Sequence, residues 1–151
     1  MPFRWHTSGI EICFDCIEYA FNFDLPEEIA DQMSFRDLRN IVADFVAWTN
    51  DLYSSAMEHR KGDLNANIVT VLSNEKQIDV NAAGEFARSY LEGKLLDFLR
   101  TKAELLGQSD SREERTFGER LRQYIFGMEC WYSGVIAWSS QLKRYSSAET
   151  S

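Results

Sequence analysis

The sequence of 151 residues predicts an all-α protein built as a bundle of long helices. Apolar residues recur every three or four positions along most of the chain, which is the spacing of one face of an α-helix. Only 2 prolines and 8 glycines interrupt this spacing, and no stretch alternates with the two-residue period of a half-buried strand. No interior linker or internal repeat divides the chain, so we expect one domain over residues 1–151.

The first helix is predicted to begin after Thr7 or Ser8, because both are favourable N-cap residues, and to end near Asn22. Pro26 disfavours helical geometry in the residue before it, and a short helical turn at 27–32 is expected to follow. The apolar face of the first helix comprises Ile10, Phe14, Ile17 and Phe21.

A long helix is predicted to start with Ser34 as its N-cap and to reach Glu58 or slightly beyond. After a turn around Gly62, a brief helix is expected to end near Ser73. The apolar face of the long helix comprises Leu38, Ile41, Val42, Phe45, Thr49 and Leu52.

Two further long helices complete the predicted bundle. One runs from Val80 towards Gly107, and the other extends from the polar connection at 108–115 to about Tyr145. Their apolar faces comprise Phe86, Tyr90, Leu95, Phe98 and Leu105 on the first, and Leu121, Ile125, Met128, Tyr132 and Val135 on the second.

The charge balance argues against several classes of partner. With 24 acidic and 16 basic residues the formal net charge is −8, and no basic cluster is present, so we expect no nucleic-acid and no anionic-membrane surface. No run of about 18 apolar residues occurs, which predicts no membrane insertion. The amino-terminal residues lack the pattern of a secretory signal, and a cytoplasmic protein is expected.

The 3 cysteines form an odd and sparse set that is not typical of a disulfide framework. Cys13 and Cys16 have the C-x-x-C spacing of redox and zinc sites, but only two histidines, His6 and His59, accompany them. We interpret the pair as two small apolar residues one helical turn apart.

Three oxygen-bearing side chains, Asn50, Ser54 and Glu58, lie one turn apart on the predicted long helix. Four residues of helix advance about 400°, so successive members are offset by about 40° and share one stripe. An amide carbonyl, a hydroxyl and a carboxylate are hard oxygen donors, which suit Mg²⁺ when a phosphate supplies the remaining ligands. The alternative is a solvated polar face, which is common on amphipathic helices.

The stretch NDLYSSAME, residues 50–58, matches every specified position of the pattern (N/D)Dxx(S/T)xxxE and resembles the second metal motif of the class I terpene synthases. The flanking residues are similar to the fungal sesquiterpene cyclases in particular. This resemblance implies Mg²⁺ as the cofactor, with Asn50, Ser54 and Glu58 as its ligands, and Lys61 near a diphosphate. It also implies an allylic diphosphate such as farnesyl diphosphate as the substrate, which the enzyme would ionise and cyclise.

Residues 4–9, RWHTSG, look like the diphosphate-sensing stretch of the same family. The resemblance assigns Arg4 as the sensor, Thr7 as the linker and Ser8 as the effector, whose carbonyl would face the substrate. Trp5 departs from the family, in which many members have a second arginine at this position.

The last predicted helix ends in residues that are similar to the family's terminal Arg-Tyr pair. By this resemblance Arg144 and Tyr145 would bind the diphosphate, and Trp138 would line the cavity. The resemblance thus extends from Arg4 to Tyr145, with three motifs in the family's order.

The family's first metal motif is absent from the sequence, since no DDxxD or DExxD string occurs. In the family this motif lies on a helix that precedes the sensor. We therefore expect residues 1–151 to form the C-terminal half of the class I terpene synthase fold, with the N-terminal half absent and little or no cyclisation by this chain alone. The apolar face left uncovered is expected to promote self-association.

Two other functions remain open from the sequence. The first is a non-catalytic helical interaction module derived from a truncated cyclase. The absence of the aspartate-rich motif from the sequence supports it. The second is a prenyl-chain-elongating enzyme, which shares the helical architecture. The second metal motif of such enzymes is a repeat of the aspartate-rich one, whereas this chain has the Asn, Ser and Glu pattern.

Overall fold

The computed structural model describes residues 9–62, 67–107 and 112–142, apart from the side chains of 112–117. Within these residues the chain forms six helices: α1 (Ile10–Phe21), α2 (Glu27–Ala30), α3 (Met33–Lys61), α4 (Ile68–Lys76), α5 (Val80–Leu106) and α6 (Arg112–Gln141). The described residues contain no strand, and the predicted all-α fold is confirmed. None of the helices in this part of the chain has both the length and the apolar composition needed to cross a bilayer.

Helix α3 lies at the centre and contacts each of the other five helices. The ring of Phe35 lies 5.1 Å from that of Tyr124, and the ring of Phe45 lies 4.0 Å from that of Tyr132. Because residue numbers rise together in both pairs, α3 and α6 run in the same direction. Phe98 of α5 lies 4.9 Å from the Tyr132 ring and closes the core between the three long helices.

Helix α5 runs antiparallel to α3, and a polar contact joins the two inside the bundle. The ring of Trp48 stacks on Tyr90 with centroids 4.0 Å apart, and the Tyr90 hydroxyl donates to Asp44 Oδ2 at 2.9 Å. Lys94 Nζ lies 3.4 Å from the same oxygen. Burial and the bond to Asp44 raise the pKa of Tyr90. Burial alone would lower the pKa of Lys94, but its contacts with Tyr90 and Asp44 raise it overall.

The buried faces of α3 and α6 agree with the predicted ones, whereas the prediction for α5 is correct at Phe98 and Leu105 and wrong at two other positions. Phe86 and Leu95, which the spacing predicts inside, are 41% and 42% exposed. In the N-terminal part of α5, next to Phe86, the buried positions are instead the small residues Ala83 and Ala87, which let α4 approach closely. The apolar cluster formed there comprises Ile68, Val69, Leu72, Ala83 and Ala87.

Helix α3 begins earlier than predicted, whereas its end at Lys61 lies slightly beyond Glu58, as predicted. Its N-cap is Gln32, and Ser34 lies inside the first turn, because the backbone N–H groups of Phe35 and Arg36 already donate to the Gln32 carbonyl at 3.1 and 3.0 Å. Its C-cap is Gly62, whose φ of 75° is a conformation that glycine adopts without a steric cost.

Of the shorter helices, α1 ends at Phe21, in agreement with the predicted end near Asn22, and α4 extends beyond its predicted end. Helix α1 starts at Ile10, and the predicted caps Thr7 and Ser8 lie outside the described residues. Helix α4 begins with Asn67 as its N-cap and ends at Lys76, beyond the expected end at Ser73.

Cys13 and Cys16 lie one turn apart on α1, and both carry free thiols. Burial raises the pKa of the Cys13 thiol, and Cys16 adds to this effect. A raised pKa opposes formation of the thiolate that redox and zinc chemistry require. The interpretation of this pair as ordinary helical residues therefore has physical support.

Candidate metal site on the central helix

The three predicted metal ligands lie on a single uninterrupted helix, α3, at successive turns. Ser54 is buried with 2% of its surface exposed, whereas Asn50 and Glu58 are half-buried. The stripe therefore lies at the margin of the protein interior and is not a fully solvated helix face.

Two of the three predicted ligands meet at one side-chain nitrogen. Asn67 Nδ2 lies 2.9 Å from Glu58 Oε2 and 3.3 Å from Ser54 Oγ, and it also donates to the backbone carbonyl of Asp51 at 2.7 Å. Asn67 is 1% exposed. The hydroxyl and the carboxylate are thus gathered at one place, while Asn50 lies one helical turn before Ser54 on the same stripe.

The aspartate of the motif has a different position. The side chain of Asp51 is 1% exposed, and its Oδ2 accepts a hydrogen bond of 2.9 Å from the backbone N–H of Ile68, the first residue of α4. The N-terminus of a helix carries a partial positive charge, which favours a carboxylate at this point. Asp51 therefore fastens the start of α4 to the turn of α3 that carries the candidate ligands.

Sequence reasoning did not identify Asn67 as part of the site. One signal was available, because an asparagine directly before the apolar run IVTV is typical of an N-cap. That signal predicts a bond from the side-chain oxygen to the following turn, and Asn67 Oδ1 does accept from the Val69 N–H at 2.9 Å. It does not predict that the nitrogen of the same amide reaches Ser54 and Glu58, because this contact depends on how α4 packs on α3.

The donor set fits a hard divalent cation, since a hydroxyl, a carboxylate and a nearby amide offer oxygen only. A zinc site of the usual kind would need nitrogen or sulfur ligands. Across residues 9–62, 67–107 and 112–142, no group of three or more His, Cys, Asp and Glu side chains is placed to hold a metal ion.

The remaining predicted site residues are distributed as follows. Lys61 is exposed in the last turn of α3, eleven residues after Asn50, so helix geometry offsets it by only about 20° from the stripe. Trp138 lies on α6 with 53% of its surface exposed. The predicted residues outside the described part of the chain are Arg4, Thr7, Ser8, Arg144 and Tyr145.

The family model described as "Terpene synthase family 2, C-terminal metal binding" matches residues 1–96. The chain belongs to this terpene synthase family. The matched range contains the whole stripe on α3 and Asn67, and the family is a metal-binding one. The resemblance to terpene synthases that the sequence motifs indicate is thereby confirmed.

Several fungal proteins, two of them named sesquiterpene synthases, are similar over nearly the whole chain. A sesquiterpene synthase of Cyclocybe aegerita is 37% identical over 145 residues, which are 96% of this chain and 33% of the relative. Sesquiterpene synthase 1 of Postia placenta is 33% identical and is matched over 40% of its length. A protein of Coprinopsis cinerea named linoleate 10R-lipoxygenase is 32% identical over 97% of this chain and 41% of its own length.

Solved terpene synthase structures have the same arrangement of helices. Germacradien-4-ol synthase from Streptomyces citricolor superposes with a TM-score of 0.77 at 25% identity, and wild-type cucumene synthase with a TM-score of 0.76 at 20% identity. Each match covers 92% of this chain and 44% of the solved chain. The chain therefore has part of the all-α terpene synthase fold and spans less than half the length of these proteins.

Proposed function

We propose that residues 1–151 supply the second metal-binding wall of a Mg²⁺-dependent terpene cyclase that acts on an allylic diphosphate, with farnesyl diphosphate as the substrate. The observation that carries this proposal is the convergence of Ser54 Oγ and Glu58 Oε2 on one buried amide, 3.3 and 2.9 Å away, within the family's metal motif. The names of the Cyclocybe aegerita and Postia placenta relatives support the choice of a sesquiterpene substrate.

In this proposal Asn50, Ser54 and Glu58 hold Mg²⁺ through their side-chain oxygens. When held by these residues, Mg²⁺ would supply the positive charge that offsets the charge on a diphosphate leaving group. Lys61 extends from the end of the same stripe and donates charge-assisted hydrogen bonds to diphosphate oxygens.

The residues at the two ends of the chain complete the proposed diphosphate site. Arg4, Arg144 and Tyr145 donate hydrogen bonds to the diphosphate, and Thr7 and Ser8 connect the sensor to the substrate.

Trp138 would present its ring to the allylic cation after ionisation. The face of an aromatic ring stabilises a positive charge by about 0.5–2 kcal/mol. The exposure of Trp138 in the described residues is compatible with this role, because its ring is not enclosed in the core.

The chain is proposed to need a second wall for turnover. A class I site clamps its metal ions between two motifs on facing helices, and this sequence contains no aspartate-rich motif. Loss of one wall removes most of the positioning and exposes the cation to water. We therefore expect cyclisation only when an N-terminal half is supplied.

The test is a complementation assay with farnesyl diphosphate and Mg²⁺, followed by gas chromatography of the hydrocarbon products. The chain is assayed alone and with the N-terminal half of the Cyclocybe aegerita sesquiterpene synthase as a separate polypeptide. We expect products only in the mixture, and none when the chain carries Ser54→Ala together with Glu58→Ala. Products that persist with the double variant would rule out the proposed ligands.

A single substitution tests the metal site directly, without turnover. Glu58→Gln keeps an oxygen that can accept from Asn67 but removes the only formal charge of the triad, so Mg²⁺-dependent binding of inorganic diphosphate should weaken by about tenfold or more. Glu75→Gln, at an exposed position of α4, is the matched control and should bind as the wild type does. Calorimetric titration measures both, and equal affinities for the two variants would contradict the assignment of Glu58.

The second candidate is a non-catalytic helical module, which the missing aspartate-rich motif favours. It predicts no hydrocarbon product in either arm of the complementation assay and no Mg²⁺-dependent diphosphate binding. The lipoxygenase name of the Coprinopsis cinerea relative has no comparable support, because iron sites in such chemistry are rich in histidine. His59 is exposed at the end of α3 and belongs to no described metal cluster.

A further inference from the structure

Asn67 occupies the junction between α3 and α4 with every polar atom of its side chain engaged. Its Oδ1 accepts from the Val69 N–H at 2.9 Å, and its Nδ2 faces Asp51, Glu58 and Ser54 at 2.7, 2.9 and 3.3 Å. These contacts fix the orientation of the amide, because a flipped group would place its oxygen against the Asp51 carbonyl and the Glu58 carboxylate, which cannot donate, and its nitrogen against the Val69 N–H. The two hydrogens of Nδ2 therefore point towards the metal motif.

The hydrogen bonds leave lone pairs of both candidate ligands available. A hydroxyl has one proton and two lone pairs. Ser54 Oγ donates its proton to the Asp51 carbonyl at 3.4 Å and accepts from Asn67, so one lone pair remains for a cation. Glu58 uses one acceptor position of Oε2 for Asn67 and retains the others. Asn67 thus restrains these oxygens without consuming their capacity to bind a metal.

Asp51 anchors Asn67 from two sides. Its carbonyl accepts from Nδ2, and its carboxylate accepts from the Ile68 N–H, the residue directly after Asn67. Rotation of the Asn67 side chain would break the cap of α4 and the bonds to α3 together. The amide is consequently held rigid before any ligand binds, which is the requirement for a side chain that positions others.

We infer that Asn67, anchored by Asp51, is a positioning residue that holds Ser54 and Glu58 in the geometry needed for the divalent cation. This inference rests on the proposed metal site and adds a residue outside the motif to it. In metal sites the hydrogen-bond partners of the ligands commonly change metal affinity by about 10- to 100-fold when they are removed.

The competing explanation is that Asn67 acts only as the N-cap of α4. The chain offers a matched control for this explanation, because Asp79 caps α5 through the Ala82 N–H at 2.9 Å and is exposed. Asn67→Ser and Asp79→Ser each leave a hydroxyl that can cap its helix. Only Asn67→Ser also removes the donors to Ser54 and Glu58.

The experiment measures Mn²⁺ binding to the full 151-residue chain in the presence of inorganic diphosphate, by electron paramagnetic resonance of the free ion. Each variant is measured below its own melting temperature, so that only folded protein is compared. We expect Asn67→Ser to weaken Mn²⁺ binding by about 10- to 100-fold and Asp79→Ser to leave it unchanged. In a Glu58→Ala background, which removes the carboxylate that Asn67 contacts, the effect of Asn67→Ser should shrink.

Failure of the positioning role and failure of the proposed metal site give different results in this experiment. If the wild type binds Mn²⁺ in a diphosphate-dependent way and Asn67→Ser binds equally well, the positioning role is overturned and the proposed function stands. If the wild type shows no such binding, the proposed metal site fails and the positioning role fails with it.

A second measurement applies if Asn67→Ser does not fold. In nuclear magnetic resonance spectra of the wild type, the side-chain N–H₂ signals of Asn67 should shift on saturation with Mg²⁺ and diphosphate. Those of the exposed Asn81 should not shift. Unchanged Asn67 signals at saturation would overturn the inference.

Discussion

Tyr132 buries a hydroxyl that has no hydrogen-bond partner among the described residues, whereas the hydroxyl of Tyr90 donates to Asp44. A buried polar group without a partner costs free energy, so Tyr132→Phe should leave the free energy of unfolding unchanged or raise it by about 1 kcal/mol. Tyr90→Phe also removes a hydroxyl, but here the hydrogen bond to Asp44 is lost with it. This variant should lower the free energy of unfolding by about 1–2 kcal/mol. Urea unfolding followed by circular dichroism measures both, and a marked loss for Tyr132→Phe would reveal a partner for its hydroxyl.

At the level of single residues, the sequence indicated the proposed ligands but not Asn67, the residue that contacts two of them. Spacing could place Asn50, Ser54 and Glu58 on one stripe of a helix, and the resemblance to the family's motif then proposed them as ligands. Asn67 lies 13 residues beyond Ser54 and reaches it only through the packing of α4 on α3. Contacts of that kind depend on tertiary geometry, which neither spacing nor residue type contains.

Helix α6 packs against α1 through Gly127, and this contact permits a prediction for the pair of helices. A Cβ atom at Gly127 would lie 2.5 Å from Ile17 Cγ2, whereas one at Gly134 of the same helix would meet nothing within 4 Å. Gly127→Ala should therefore lower the free energy of unfolding by about 1–3 kcal/mol through overpacking. Gly134→Ala should raise it by about 0.5–1 kcal/mol, because alanine is the better helix former.

Thermal and urea unfolding of the two variants provide the comparison, and both changes carry the same gain in helix propensity. Adding Ile17→Ala removes the side chain that Gly127→Ala would strike, so the cost of Gly127→Ala should shrink in that background. Equal effects of the two glycine variants would mean that α1 and α6 are further apart than the structure shows.

The elements themselves could be predicted to different extents. Helices α3 and α6 have most of their large apolar residues on the buried face, so spacing predicted their buried sides correctly. Helix α5 carries large apolar residues on more than one face, and its contact with α4 uses Ala83 and Ala87. Close helix packing favours small residues, so a pattern that gives most weight to large ones missed Ala83 and Ala87, although it identified Phe98 and Leu105 correctly.

For the whole molecule, buried tyrosines predict a loss of stability at alkaline pH. Burial raises the pKa of Tyr124 to about 12, and burial also raises the pKa of Tyr132 and of Tyr90. In the unfolded chain these groups lose their protons near the ordinary value of 10.0. The stabilisation of the folded chain by these raised pKa values is therefore complete below pH 10. It is lost as the pH rises through the pKa values of the folded chain.

Between its pKa in the unfolded chain and its pKa in the folded chain, each such tyrosine is protonated only in the folded chain. Over that pH range the free energy of unfolding falls by about 1.4 kcal/mol per pH unit for each tyrosine. The raised pKa of Lys94 acts in the same direction, because its bonds need the charged form. Urea unfolding between pH 8 and 11.5 should show a plateau followed by a fall, and the fall should be less steep for Tyr132→Phe. A free energy of unfolding that stays level to pH 11.5 would contradict the burial of these hydroxyl groups.

The outer surface of α5 predicts how the whole chain behaves in solution. Leu96 and Leu99 lie three residues apart on one side of the helix and are 62% and 50% exposed. An exposed apolar stripe of this kind favours association, because pairing removes it from water at about 25 cal/mol per Å². We expect the chain to form concentration-dependent oligomers in size-exclusion chromatography with light scattering, and Leu96→Lys with Leu99→Lys to shift it towards the monomer. Ser89→Lys adds charge to an exposed position of the same helix without removing apolar surface and should not have this effect. If the wild type is monomeric at every concentration, or Ser89→Lys dissociates it equally well, the α5 stripe is not what drives association.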